Sequence, residues 1–204
     1  MVTKLAQGSL LAVVALLLSA CTVVDLDANG QPIIPKDPTA QQGYRDQTAQ
    51  QVAKATWSSK VLEAGEKQGL SWEAMKTRST SVKAGSSESL FVRGTGTVTA
   101  ITAAGENERF LTVTLDGEAV PVAIGPVVRS NAIRDAAGFK FEEFTNQVQY
   151  AQLTKALNRQ AVQQLPPMDE SWVGKPVQLM LAVTLQPGKV QDVIAVTVKQ
   201  EPPQ

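Results

Sequence analysis

Between residues 92 and 124 apolar and polar side chains alternate with period two. Val92, Gly94, Gly96, Val98 and Ala100 fall on one side, and Arg93, Thr95, Thr97 and Thr99 on the other. Leu111, Val113 and Leu115 follow at spacing two, then Val120, Val122 and Ile124. A strand sends successive side chains to opposite faces, so the pattern predicts strands with one apolar face each. Asp116-Gly117 separates the second run from the third. Tight two-residue hairpin turns need positive φ at both central positions, which this pair tolerates. The stretch reads as a three-stranded meander.

The C-terminal third of the chain limits how that meander closes. Tyr150, Leu153, Leu157, Ala161 and Leu165 recur at helical spacing, and Pro166-Pro167 ends the helix. Two more alternating runs complete the chain: Val177, Leu179, Leu181, Val183 and Leu185, then Ile194, Val196 and Val198, with Pro187-Gly188 turning between them. Three strands, a helix and two strands is the element order of an OB-fold, a small Greek-key barrel. Gly94 and Gly96 suit a long first strand that must bend to serve both halves of it. The expected fold class is mainly β with helices: an OB-like five-stranded barrel over 86–200, preceded by an N-terminal helical segment. Val98, Val113, Val122, Leu181 and Val196 are expected in one barrel core. The competing architecture is an open antiparallel sheet with one helix on a face.

The helical segment spans 41–85. Ala53, Trp57, Val61 and Ala64 form an apolar stripe in a helix expected over 41–68, with Gly69 as its C-cap signal. A second helix is expected from Ser71, an N-cap, with Glu73 in its first turn. Ala84-Gly85-Ser86-Ser87 reads as a break.

Upstream, residues 21–40 carry Asp25, Asp27, Asn29-Gly30, Pro32, Pro35 and Pro38, the composition of an extended tether. Residues 1–20 read as a secretory signal. Lys4 precedes an unbroken apolar run from Leu10 to Leu18, and small residues follow at Ser19 and Ala20. As a helix that run covers about 14 Å, half of a bilayer core of about 30 Å, so it is too short to span. Leu18-Ser19-Ala20-Cys21 resembles the lipobox of bacterial lipoproteins, in which the cysteine becomes the lipidated N-terminus. The alternative is an ordinary signal peptide cut after Ala20. Thr22 stands where an Asp would resemble an inner-membrane retention signal, which favours the outer membrane.

Composition removes several function classes. Lys and Arg total 19 against 19 Asp and Glu, with no basic surplus to hold nucleic acid. The chain has no histidine, the commonest metal ligand and general base, so a Ser-His-Asp triad is impossible. Neither a metal nor a cofactor is expected. One cysteine excludes an internal disulfide. Gly94-Thr95-Gly96 lies in a strand pattern and lacks the third glycine of a dinucleotide fingerprint. Glu142-Glu143 and Asp169-Glu170 are adjacent carboxylates of the kind usually found as solvated surface charge. Trp57, Trp72 and Trp172 have rings able to stack on a sugar, although Trp57 belongs to the helical stripe and so to a core.

The candidate site lies in the polar crossing from Arg129 to Gln149, read as irregular. Arg129, Asn131, Arg134, Asp135, Asn146 and Gln147 are the candidate ligand or partner contacts. Arg offers a planar fork of donors, and Asn and Gln add donors and acceptors that suit hydroxyls or carboxylates. The competing reading, which is favoured, is that Arg134, Asp135 and Asn146 fasten a segment whose backbone groups need partners.

Several stretches carry a family resemblance: Trp57-Ser58-Ser59-Lys60-Val61, Gly94-Thr95-Gly96, Ile124-Gly125-Pro126-Val127-Val128-Arg129, Ile133-Arg134-Asp135, Phe141, Phe144-Thr145-Asn146-Gln147, Ala151 and Ala156-Leu157-Asn158. Together they resemble the uncharacterised bacterial lipoproteins grouped as the domain of unknown function twenty-two ninety-one. The chain departs from that pattern at Ser130-Asn131, where Gly and a small hydroxyl residue are expected. The resemblance implies a periplasmic lipoprotein, an OB-like barrel and genes beside sugar ABC transporters, and it implies no catalytic residues. The expected function is a non-catalytic binding or accessory lipoprotein. Its anchor is Cys21 in a membrane facing the periplasm, and its expected partner is a component of a sugar ABC transporter. The alternative is a carboxylate-dependent envelope enzyme acting on a glycan.

Overall fold

The computed structural model describes residues 43–201. The signal peptide, the tether and Cys21 lie outside the described residues.

Five strands form a closed barrel: β1 Glu88–Ala103, β2 Glu108–Leu115, β3 Glu118–Pro126, β4 Pro176–Gln186 and β5 Lys189–Gln200. They follow one another round the barrel as β1-β2-β3-β5-β4. Neighbours pair antiparallel except β3 and β5, which meet in parallel at the single pair Ala123–Ile194. This is the OB-like order, and it excludes the open sheet. Asp116 (φ 46°) and Gly117 (φ 81°) make the hairpin between β2 and β3 with both residues at positive φ. β1 pairs with β4 from Glu88 to Thr97 and with β2 from Thr97 to Ala103. At that handover a Cβ on Gly96 would stand 2.4 Å from the Thr114 carbonyl oxygen and 2.9 Å from Leu115 Cδ2. Only glycine lets the strands approach so closely there.

Two cores result. The barrel interior holds Val98, Leu111, Val113, Leu115, Val122, Val177, Leu179, Leu181, Val183 and Leu185, with Trp72 and Met75 packed against them. A second core lies between the helices and the outer face of the barrel, where Met180, Ala182, Ile194 and Val196 meet Val52, Trp57, Ile133, Leu153 and Leu157. β4 is thus buried on both faces, which its continuous apolar run Leu179–Val183 allows.

Bulges change two expected faces. A register shift between Val98 and Ala100 turns Ile101, not Ala100, towards Leu111 and the barrel interior. A second shift, opposite Met180 and Leu181, pairs Leu181 with Ala195. Ala195 and Val198 therefore enter the barrel, while Val196 joins the outer core, against the expectation that placed it inside. An inserted residue reverses the alternation beyond it.

The N-terminal helix begins at Ala49 rather than residue 41. Thr48 caps it: the Thr48 hydroxyl accepts from Gln51 N (3.3 Å) and Gln51 Oε1 accepts from Thr48 N (2.8 Å). It runs as α1 Ala49–Thr56, a π-helical stretch Trp57–Glu63, and α2 Ala64–Gln68. The wider π turn keeps Trp57, Val61 and Gly65 on the buried side, with the half-buried Ala64 packed beside them against the same core, as the stripe predicts. A Cβ on Gly65 would lie 2.4 Å from Met180 Sδ. Gly69 is the C-cap, in extended backbone (φ −61°, ψ 126°). α3 Trp72–Thr80 starts at Ser71, whose hydroxyl accepts from Ala74 N at 3.2 Å.

The crossing between β3 and β4 is more ordered and more apolar than its composition implied. It contains α4 Ala132–Ala136, a short turn Phe141–Glu143 and α5 Gln147–Gln164, and it buries Ala132, Ile133, Ala137, Phe139 and Phe144. Tyr44 stacks on Phe144 (5.4 Å) and meets Phe139 edge-on (5.6 Å), tying the start of the described chain to this crossing. Among the described residues no helix is long and apolar enough to cross a membrane.

Candidate functional site: a ridge between two clefts

After β3 the chain rises into a ridge, residues 126–131, before α4 begins. The ridge separates two clefts and its residues Val127, Val128, Arg129 and Ser130 line both of them. One cleft, about 500 Å³, opens between β3 and β5, where the strands share a single pair. Glu108, Glu118 and Asp192 contribute carboxylates to it. The other, about 600 Å³, lies between the ridge and α5, lined there by Ala151, Thr154, Lys155, Asn158 and Arg159. Both volumes fall within the range of small-molecule sites.

The ridge is held from below. Asn158 on α5 is 4% exposed, and its Nδ2 donates to the carbonyls of Val128 (3.1 Å) and Ser130 (2.8 Å). Its Oδ1 is buried and has no hydrogen-bond partner among the described residues. The Ser130 hydroxyl donates to Asp192 Oδ2 (2.9 Å) and accepts from Ala132 N (3.0 Å), so one side chain ties the ridge to β5 and starts α4. At its root, a Cβ on Gly125 (φ 96°) would sit 2.8 Å from both γ carbons of Val162.

The six predicted contact residues occupy three different settings. Arg129 stands on the ridge, its side chain 71% exposed, with Nη1 2.7 Å from Glu108 Oε1. Asn131 lines the α5 cleft and accepts from the Thr154 hydroxyl at 3.1 Å. Arg134 lies beneath, its side chain 12% exposed. It lies over the Tyr150 ring (3.9 Å), donates to Thr154 Oγ1 (3.0 Å) and forks onto Asp135 Oδ1 (2.8 and 2.7 Å). Asn146 is the N-cap of α5, its Oδ1 accepting from Gln149 N at 2.9 Å, and Gln147 is the exposed first residue of that helix. The structure thus brings Arg129 and Asn131 to the clefts, and gives Arg134, Asp135 and Asn146 bonds that fasten the crossing.

Burial pushes the Tyr150 phenol up, the charge of Arg134 opposes it, and Asp135, Glu142 and Glu143 add smaller upward pulls. Its hydroxyl donates to the Phe139 carbonyl (2.9 Å). At the far end of the β3–β5 cleft, hydrogen bonds from Lys76 Nζ (2.7 Å) and Trp72 Nε1 (3.4 Å) hold the Glu118 carboxyl below the usual carboxylate range.

Sequence reasoning does not single out Thr154, Lys155, Asn158, Arg159, Ser130 or Asp192 as contacts. Thr154 and Asn158 carry a signal, since both sit four apart beside the apolar stripe Leu153, Leu157 and Ala161. Asp192 carries none. All three tryptophans are buried: Trp57 bonds Gln164 Oε1 (2.9 Å) beneath the helices, and Trp72 and Trp172 belong to the barrel core.

The strand order and the cleft-bearing ridge define an OB-like barrel carrying a helical layer. The sequence matches a family model described as "Predicted periplasmic lipoprotein (DUF2291)" over residues 11–199, and the chain belongs to that family. No curated protein matches it. Membership in a lipoprotein family fits a cell-envelope protein held at a membrane by lipid.

Proposed function

We propose that this is a non-catalytic binding lipoprotein, anchored through Cys21 at a membrane facing the periplasm, with the ridge 126–131 as its contact surface. The observation that carries this reading is that one short, braced and exposed segment walls two clefts at once. Val127, 39% exposed, is the apolar side chain it offers, beside the charged fork of Arg129. Of the adjacent carboxylate pairs in the sequence, one member of each makes a local backbone bond. Glu143 Oε2 accepts from Lys140 N (2.8 Å), and Asp169 Oδ1 accepts from Ser171 N (2.9 Å). Thr22 after the anchor favours the outer membrane.

The expected partner is a component of a sugar ABC transporter, a reading that the resemblance to lipoproteins encoded beside such systems supports. A tether of about twenty residues reaches at most about 70 Å, and confinement to a membrane surface raises the effective concentration of partners there. The test places a photocrosslinking residue at Val127 in intact cells and measures sugar uptake in a deletion strain. Capture of a transporter component with impaired uptake is expected. Normal uptake of every sugar tried, with nothing crosslinked, overturns the reading, and hydrolysis of a glycan by the purified protein would favour the enzyme alternative.

A further inference from the structure

We infer that the cleft between the ridge and α5 binds a small hydroxylated anion, a polyol that carries a carboxylate or a phosphate. The inference rests on the reading of this surface as a binding site and names its ligand chemistry.

Lys155 and Arg159 stand four residues apart on α5, so both project from the helix face that lines the cleft. Like charges at that spacing repel, and among the described residues neither has an ion-pair partner. Arg129 on the opposite wall adds a third cation, shared with Glu108. No carboxylate belongs to the residues lining this cleft, whereas the β3–β5 cleft across the ridge holds Glu108, Glu118 and Asp192. Positive charge is thus concentrated on one side of the ridge, where a concave wall focuses its field on an anion.

The remaining polar lining suits hydroxyls. Asn131 on the ridge and Thr154 and Asn158 on α5 are uncharged polar residues of the cleft lining. Asn158 is the informative one. Its donors are spent on the Val128 and Ser130 carbonyls, and its buried Oδ1 is an acceptor still without a donor. Buried acceptors are nearly always paired, so a ligand that engages this oxygen must bring a donor, as a hydroxyl does, and must displace the groups that now cover it. Pro126, Val127, Val128 and Ala151 supply the apolar wall for the carbon skeleton.

The experiment is calorimetric titration of the full mature lipoprotein in neutral detergent with glucuronate, glycerol phosphate and glucose, at low and high salt. Saturable, salt-sensitive binding of at least one anion is expected, weakened about tenfold or more by Lys155→Gln and by Arg159→Gln. Both side chains are exposed, so an unchanged melting temperature checks that the variants are folded. Tighter binding of glucuronate identifies a sugar acid as the source of the anion, and tighter binding of glycerol phosphate a lipid headgroup or its soluble fragment. No binding of either anion, binding unchanged in both variants, or glucose bound as tightly as the anions overturns the inference. In each of those cases the Val127 crosslink still decides separately whether the ridge is a contact surface.

Discussion

Gly125 and Val162 touch where the last strand before the crossing meets the helix after it: a Cβ on Gly125 would lie 2.8 Å from Val162 Cγ1 and from Cγ2. The same glycine has φ 96°, a conformation that other residues rarely adopt. Gly125→Ala therefore combines backbone strain with overpacking and is expected to cost about 1–3 kcal/mol or more. Urea denaturation measures it. Gly125→Ala with Val162→Ala should recover the packing part and leave the strain.

Asn158→Ala removes both donors to the ridge carbonyls. Stranding buried acceptors is expected to lower stability by about 1–3 kcal/mol, read from the shift in denaturation midpoint. Asn158→Asp should be worse, because it replaces the donors with a buried negative charge facing two carbonyls.

The two predicted arginines should separate. Arg134→Ala loses its contact with the Tyr150 ring and its bond to Thr154 in a nearly buried position, so a fall of about 1–3 kcal/mol is expected. Asp135→Ala should act in the same direction and less. Arg129→Ala breaks only an exposed pair with Glu108 and should change stability by less than about 1 kcal/mol, while altering whatever the ridge contacts. Thermal melts of the three variants test this, and equal losses at positions 129 and 134 would refute the distinction.

Glu118 should titrate below ordinary glutamates, because hydrogen bonds from Lys76 and then Trp72 favour its charged form. A carboxyl whose folded pKa is depressed contributes stability above its unfolded pKa, and that contribution is lost as pH falls through the folded value. NMR titration of the Glu118 carboxyl gives the midpoint. Its protonation should also change Trp72 emission, and Lys76→Ala should move the midpoint back up.

Cys21→Ser is expected to abolish incorporation of labelled palmitate and leave an uncleaved precursor. Stable anchoring needs two acyl signals, since a single chain binds only marginally. Undiminished labelling of the variant would refute lipidation at this position.

What the sequence determined by itself was the strands, the tight turn and the long helices, whose patterns repeat over near neighbours. It missed the short helix Ala132–Ala136 and the π-helical stretch Trp57–Glu63. Period-two alternation from Val92 to Ile124 makes strands, Asp116-Gly117 makes the tight turn, and Leu153, Leu157 and Ala161 make a helix with one buried stripe, because each depends on residues a few positions apart. Their order matched an OB-like barrel but left an open sheet possible, and the parallel pair Ala123–Ile194 between β3 and β5 closed the choice. The tertiary structure decided where the alternation slips. Whether Ala195 or Val196 faces the barrel depends on the bulge opposite Met180 and Leu181, a register set by strand pairing. It also decided the site. Asn158 reaches back 30 residues to the Val128 carbonyl, and Ser130 reaches 62 residues forward to Asp192. No local pattern records such bonds: a buried polar group takes whatever partner the folded chain places beside it, and that placement exists only once the barrel has closed.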